Sequence, residues 1–389
     1  MKTLLSGFVW LAFCLSCVSA AYGAACPAPA NASSVALPEH PFGMAVSTDG
    51  CWMFVAMAGK PGGAIAVLHD ENGSFSIKQT VKLRGDGDGE ALTHDGKLLF
   101  VAEGRDVAAF DVADLEQASA NPLIGYLKTG RDTGAVYVIT NLDDSLLFVS
   151  EEHSRSLGVY DLRKWSADGF RGDPLIGSVP TAWAPVGLAL SPDGRWLYVT
   201  SQVALPQWGF PSTCKPEARV EREHSQGLLE RVDIAEAAAH PDRSVAGGVQ
   251  AGCNPVRVAV SPDGAWLWVT ARDSNALLRI PASSLTSKSD ITVSSFDVGG
   301  SPVGVAVRPD GDQVWVALSN RFAKAGHDNK GRELVGLIGT NNPDASVNTV
   351  SEPAAGFPRE LMFLPDGATL AVGLFQDNRI DFFTTPPSS

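Results

Sequence analysis

The stretch Pro185-Val-Gly-Leu-Ala-Leu-Ser-Pro-Asp-Gly194, continued by Arg-Trp-Leu-Tyr-Val-Thr200, decides the fold. It is an alternating apolar run, a tight turn, and a second run of β-branched and aromatic residues. A period of two marks a strand, and Ser-Pro-Asp-Gly supplies the turn between two strands. The pattern returns from Asn254 to Thr270 and from Pro302 to Ala317. Weaker copies run from Pro41 to Gly50, Gly87 to Gly96, Ala135 to Asp144 and Pro358 to Gly367. The turn residues fall at 50, 96, 144, 194, 264, 311 and 367, which makes seven copies spaced by 46, 48, 50, 70, 47 and 56 residues.

Most copies continue into a third strand, as in Ser156-Leu-Gly-Val-Tyr-Asp161 or Ala276-Leu-Leu-Arg-Ile280, and leave room for a fourth. Four short strands per repeat of this length describe one propeller blade. The last copy ends at Ile380-Asp-Phe-Phe383, one strand short, and Ser33 to Leu37 precedes the first copy. Pairing that N-terminal segment with the last blade closes the ring and removes two free sheet edges. The expected fold is therefore all-β, a seven-bladed β-propeller closed by the N-terminal strand. Two β-sandwich domains would not explain seven in-register copies.

The chain of 389 residues carries 30 Lys plus Arg against 43 Asp plus Glu, a net charge of −13, with no basic cluster. Binding a phosphate backbone needs concentrated positive charge, so nucleic acid is not an expected partner. Lys2, the apolar run Leu4 to Val18 and the small residues Val18-Ser19-Ala20 read as a signal peptide over residues 1–20, with cleavage after Ala24 as an alternative. Residues 21–389 then form a single domain. The apolar run is too short to span a bilayer, and no later segment supplies a span. The expected location is the secretory lumen or outside the cell. Removing the signal leaves Cys26, Cys51, Cys214 and Cys253, an even number in an oxidising compartment. Cys26 and Cys51 both fall near the turn face of the disc, and Cys214 and Cys253 both on the opposite face, so those are the expected pairs. Asn31-Ala-Ser33 and Asn72-Gly-Ser74 are glycosylation sequons.

Strand parity separates the two faces of the disc. The Ser-Pro-Asp-Gly turns lie on one. The loops entering strand one and those joining strands two and three lie on the other, the mouth. The excess length of copies four and six falls on the mouth, as an expected lid over about residues 203–225 and a polar insertion from Arg321 to Glu333. The third position of strand one is Gly43, Gly89, Gly187 and Gly304 in four copies, but Tyr137, Arg257 and Glu360 in the other three. Glycine there allows neighbouring strands to approach closely. Three large polar groups breaking that rule suggest a ligand site, or else an Arg257–Glu360 ion pair plugging the channel.

The loops after strand two add Glu103, Arg105, Glu151, Glu152, His153, Arg272, Asp273, Asn320, Arg321, Gln376 and Asp377 on the same face. Glu151-Glu152-His153 is the densest titratable cluster and a candidate for acid–base work. No His/Cys spacing suits zinc, Gly85 to Glu90 matches no full calcium loop, and no phosphate loop or serine-hydrolase elbow is present. A site without metal or cofactor is expected.

The copies written Leu-Tyr-Val-Thr, Leu-Trp-Val-Thr and Val-Trp-Val-Ala resemble the YVTN family of β-propeller repeats over roughly residues 33 to 384. The overall layout also resembles the fungal hetero-Diels–Alderases of tropolone-sesquiterpenoid biosynthesis, which join a quinone methide to a macrocyclic terpene. That resemblance implies a cofactor-free cyclase for apolar small molecules. Arg257, Arg272, Tyr137 and His153 would be the donors to a polarised carbonyl, and Trp183, Trp208 and Phe42 the apolar wall. A lactonase or muconate-type cyclase using Glu152, His153 and Arg272 on a carboxylate substrate is the second reading. A non-catalytic propeller binding a protein or glycan is the third. An apolar enclosed pocket would favour the first, a charged shallow one the second, and a flat plugged face the third.

Overall fold

The structure, a computed structural model, describes residues 26–130, 133–204, 226–286, 293–320, 333–340, 348–353 and 356–388. The expected signal peptide, Trp208, Cys214 and Arg321 lie outside the described residues.

Seven four-stranded antiparallel sheets form the blades of a β-propeller. The innermost strands, in order, are His40–Val46, Glu90–Leu92, Ala135–Thr140, Trp183–Leu190, Pro255–Val260, Pro302–Val307 and Pro358–Phe363. Blade seven is completed by Ser34–Ala36 from the N-terminus, which pairs with Arg379–Thr384 in the register Ser34 to Asp381, Val35 to Ile380 and Ala36 to Arg379. Closure follows from arithmetic in the sequence, and it leaves no blade with a missing edge.

The seven turns repeat one chemistry. In each, the N–H of the fourth residue donates to the carbonyl of the first, as Gly194 does to Ser191 and Gly264 to Ser261. The fourth residue is left-handed in all seven, including Asp144 at φ 53°. Glycine pays no Cβ penalty there, which explains six of the seven choices. Where the first residue is Ser or Thr, the aspartate before the fourth accepts from that side chain and from the amide two residues on, as Asp193 does from Ser191 Oγ at 2.5 Å and from Arg195 N at 3.1 Å. Asp144 accepts instead from Thr140 Oγ1 at 2.8 Å and reaches His94 Nδ1 at 2.9 Å, tying blade three to blade two.

Apolar residues collect between blades. Seven separate clusters each join two neighbours, for example Phe54, Ile65 and Val67 of blade one with Leu99, Val101 and Phe110 of blade two. Blades seven and one close the series through Met44, Met53, Leu364 and Phe382. Short helices Val112–Glu116, Leu162–Ala167 and Ile234–Ala239 follow the third strands of blades two to four, capped by Asp111, Asp161 and Asp233. Cys26 and Cys51 form a disulfide on the turn face, as the sequence implies. Cys253 is disulfide-bonded too.

Candidate functional site

Six of the seven innermost strands shift register near their start, all but that of blade two: between Pro41 and Gly43, Ala135 and Tyr137, Pro185 and Leu188, Pro255 and Arg257, Pro302 and Val305, and Pro358 and Glu360. A β-bulge turns consecutive side chains towards the same side instead of opposite sides. Two adjacent positions of each of these six blades therefore reach the channel, and with Asp88 and Gly89 of blade two they make two rings at successive depths.

The deeper ring is the third-position column. Glycines 43, 89, 187 and 304 are forced by sterics: a Cβ at each would lie 2.6–2.8 Å from the carbonyl oxygen of Asp88, Val136, Val256 or Arg359 on the next blade. Ser150, Thr200 and Thr270 donate to the carbonyls of Val186, Val256 and Val303, pinning adjacent blades together. Into the space the glycines leave come Tyr137, Arg257 and Glu360. Tyr137 Oη donates to Glu360 Oε2 and accepts from Arg257 Nη2, and Arg257 Nη2 also lies 3.4 Å from Glu360 Oε2. The Arg257 guanidinium covers the Tyr137 ring at 3.9 Å. Burial and the neighbouring Glu360 carboxylate push the Tyr137 phenol far up, so it stays neutral. Burial works against the Arg257 charge, but Tyr137 and Glu360 outweigh it and raise its pKa. This triad is a charge-balanced floor across the axis.

The upper ring is the second-position column: Phe42, Asp88, Val136, Val186, Val256, Val303 and Arg359. All seven line one cavity of about 330 Å³ at the mouth, together with Arg257, Glu152, His153, Gln202 and Arg272. Around the axis the order is Arg359, Phe42 and Asp88 on one arc and four valines on the other. Arg359 stacks on Phe42 at 3.6 Å, with Phe375 at 5.6 Å and Phe357 at 6.0 Å. Its Nε is buried without a hydrogen-bond partner, and the side chain makes no hydrogen bond or ion pair among the described residues. Burial, then the adjacent Arg257 charge, lower its pKa to about 10. Burial raises the Asp88 carboxyl to about 7, against the pull of Arg359. Behind it Glu90, also buried, is raised to about 8 by burial; the amides of Ala45 and Ala56 lie near it but not in hydrogen-bonding geometry.

The structure brings Arg257, Tyr137 and Glu360 together in the floor, and Phe42, Glu152, His153 and Arg272 around the cavity. Glu152 Oε1 accepts from Gln202 Nε2 at 3.1 Å, and His153 packs over Gly134. Arg272 Nε lies 3.4 Å from Asp273 Oδ1. Glu151 faces away, capping a turn through Ser154 and Ser156. Trp183 is 45% exposed, stacks under Arg155 at 4.6 Å and does not line the cavity. Asp88 and Arg359 are functional candidates the sequence reading missed. Their signal was a column reading Phe, Asp, Val, Val, Val, Val, Arg.

Among the described residues, no group of three or more His, Cys, Asp or Glu side chains is placed to hold a metal ion, and no helix is long and apolar enough to cross a membrane.

No protein-family model matches the chain, and no curated protein sequence does. Many solved structures match its shape. Kuenenia stuttgartiensis hydrazine synthase has a TM-score of 0.66 at 16% identity, covering 90% of this chain and 96% of that one. A chain of the mitotic checkpoint complex has a TM-score of 0.66 at 14% identity, covering 98% and 100%. The Cps50 (Swd1) β-propeller domain of Myceliophteria thermophila has a TM-score of 0.63 at 13% identity, covering 92% and 100%. One of these is an enzyme and another belongs to a protein complex, so the shared scaffold does not select a function. The likeness is one of fold: the chain is a seven-bladed β-propeller.

Proposed function

We propose that the axial mouth is an acid–base active site for a small substrate with a lactone or carboxylate group, of the lactonase or muconate-type cyclase kind. The observation that supports this is the polar arc, where a cation with no polar partner and a carboxyl that titrates near neutrality share one small cavity. The floor triad is balanced within itself. Glu90 is protonated at neutral pH and Asp88 only partly ionised, so the charge of Arg359 is left over for the ligand.

Those two groups suffice for lactone chemistry. Ionised Asp88 takes a proton from a water molecule whose oxygen attacks the carbonyl, and the oxyanion forms beside Arg359. Collapse breaks the ring C–O bond. The leaving alkoxide takes the proton back from Asp88, the new carboxylic acid releases its own proton to water, and the resulting carboxylate rests on Arg359. Closure of a hydroxy acid is the same path reversed, whereas cyclisation of an unsaturated acid adds a carboxylate oxygen to one carbon of a C=C bond while protonated Asp88 delivers its proton to the other. Glu152, His153 and Arg272 orient the far side of the substrate.

The test is turnover of a panel of γ- and δ-lactones and unsaturated diacids by the whole chain and by Asp88→Asn and Arg359→Met. Removing the base should cost about 10²–10⁴-fold in kcat, and removing the oxyanion donor about 10²–10³-fold. Variants that keep the full rate would overturn the assignment.

The four valines and Phe42 favour a second reading, the hetero-Diels–Alderase one, in which an apolar diene lies on the valine arc and Arg257, Arg272 and His153 polarise the partner carbonyl, Tyr137 being engaged with Glu360. Cycloaddition needs no proton relay, so its rate should be indifferent to Asp88→Asn. In either reading the chain is a secretory-pathway protein with glycans on Asn31 and Asn72, both exposed. Glycosidase treatment of the native protein should lower its mass.

A further inference from the structure

We infer that the mouth takes an amphipathic monocarboxylate, with its carboxylate on Arg359 and its hydrocarbon body across the valine arc. This rests on the mouth being the ligand site proposed above, but not on any reaction there.

Arg359 has no hydrogen bond or ion pair among the described residues. Its guanidinium is sunk among Phe42, Phe357 and Phe375. Cation–π contacts return little beside what it costs to withdraw a guanidinium from water, and the Glu360 and Asp88 charges act on it only through space. Aromatic faces alone therefore do not account for a cation kept there. Glu360, its chain neighbour, is committed to Tyr137 and Arg257. Asp88 lines the cavity without pairing with Arg359. The missing element is an anion, and a planar carboxylate matches the guanidinium fork.

The ring then limits the rest of the ligand. Beyond Phe42 and Asp88 the wall is Val136, Val186, Val256 and Val303, with no charge among them. Protonated Asp88 can donate to the second oxygen of the bound carboxylate. The volume of about 330 Å³ is at the small end for ligand pockets. A hydroxy acid, or the lactone it closes into, fits both the ring and the chemistry above.

Isothermal titration of the full chain with hexanoate, hexanol, acetate and sulfate tests this. Hexanoate should bind once per chain, at least 10-fold more tightly than hexanol, which has the tail alone, or acetate and sulfate, which have the charge alone. Arg359→Met should weaken hexanoate at least 30-fold, with Arg359→Lys intermediate. Val186→Thr should weaken hexanoate but leave acetate unchanged. Arg359→Met removes a half-buried charge that has no hydrogen bond or ion pair among the described residues, so its melting temperature without ligand should not fall, while the rise given by hexanoate should vanish. Unchanged hexanoate binding by Arg359→Met, or equal affinity for acetate and hexanoate, overturns the inference. Selective hexanoate binding without lactone turnover would support it and sink only the enzymatic reading. Lactone turnover with no carboxylate selectivity would do the reverse.

Discussion

Glu90 shows how strongly position governs chemistry at the residue scale. It opens the short inner strand of blade two, buried, with neither carboxylate oxygen in a hydrogen bond. Its pKa in the fold, about 8, lies above the ordinary 4.5, so between those values the folded chain holds a proton that the unfolded chain has released. The stability this gives is complete below about pH 4.5 and is lost as pH rises through 8. Asp88 acts in the same direction between 3.8 and about 7. The melting temperature of the native chain should therefore fall from pH 5 to pH 8, roughly the range these two groups span, and Glu90→Gln should flatten the fall. An equally steep fall in the variant would refute the burial of an uncompensated carboxyl. Gly187→Ala, whose Cβ would meet the Val256 carbonyl at 2.6 Å, should cost about 1–3 kcal/mol in a denaturant melt. At Gly264, where the φ of 71° is left-handed and a Cβ would also lie 3.3 Å from Pro192 Cδ, alanine should cost about 1–2 kcal/mol. The third-position column was legible in the sequence because glycine is an exception that asks for a reason. The second-position column was harder to see, since strict alternation would turn Arg359 away from the axis and only the register shift between Pro358 and Glu360 brings it in, while Asp88 stands just before the short inner strand of blade two.

Ser34–Ala36 is three residues long and yet completes a blade. Its place was readable from the count of strands after Pro358, and Cys26–Cys51 fastens the segment before it to the first turn. Deleting residues 21–37 should give a chain that melts well below the full one or aggregates, because blade seven would expose the edge of Arg379–Thr384. Cys51→Ser should be milder, about 3 kcal/mol on the chain-entropy account for a loop of this size, the cysteines being 25 residues apart. A truncated chain as stable as the full one would mean that closure does not hold the ring together. The short helices after the third strands were not foreseen. Each is nucleated locally by an aspartate cap at the end of a strand, Asp111, Asp161 or Asp233, and six residues or fewer give no helical period to detect.

At the scale of the whole molecule, the seven copies differ little where blades pack and much where they reach the axis. The inter-blade clusters repeat the same alternation of strands, which is why fold could be read from one sixteen-residue stretch. Around the channel the repeat is broken on purpose of chemistry: large polar groups in blades three, five and seven meet over glycines in the other four, and above them a charged arc faces an apolar one. Such a split ring exists only once the ring is closed, so no single repeat displays it. The claim that this mouth is where the protein handles a small anionic ligand is tested most directly by a crystal structure of the full chain with hexanoate. The carboxylate should lie about 2.7–3.2 Å from the Arg359 guanidinium nitrogens, with the chain along Val136, Val186, Val256 and Val303. Hexanoate bound elsewhere, with the mouth empty at a concentration that saturates the chain in solution, would contradict the account.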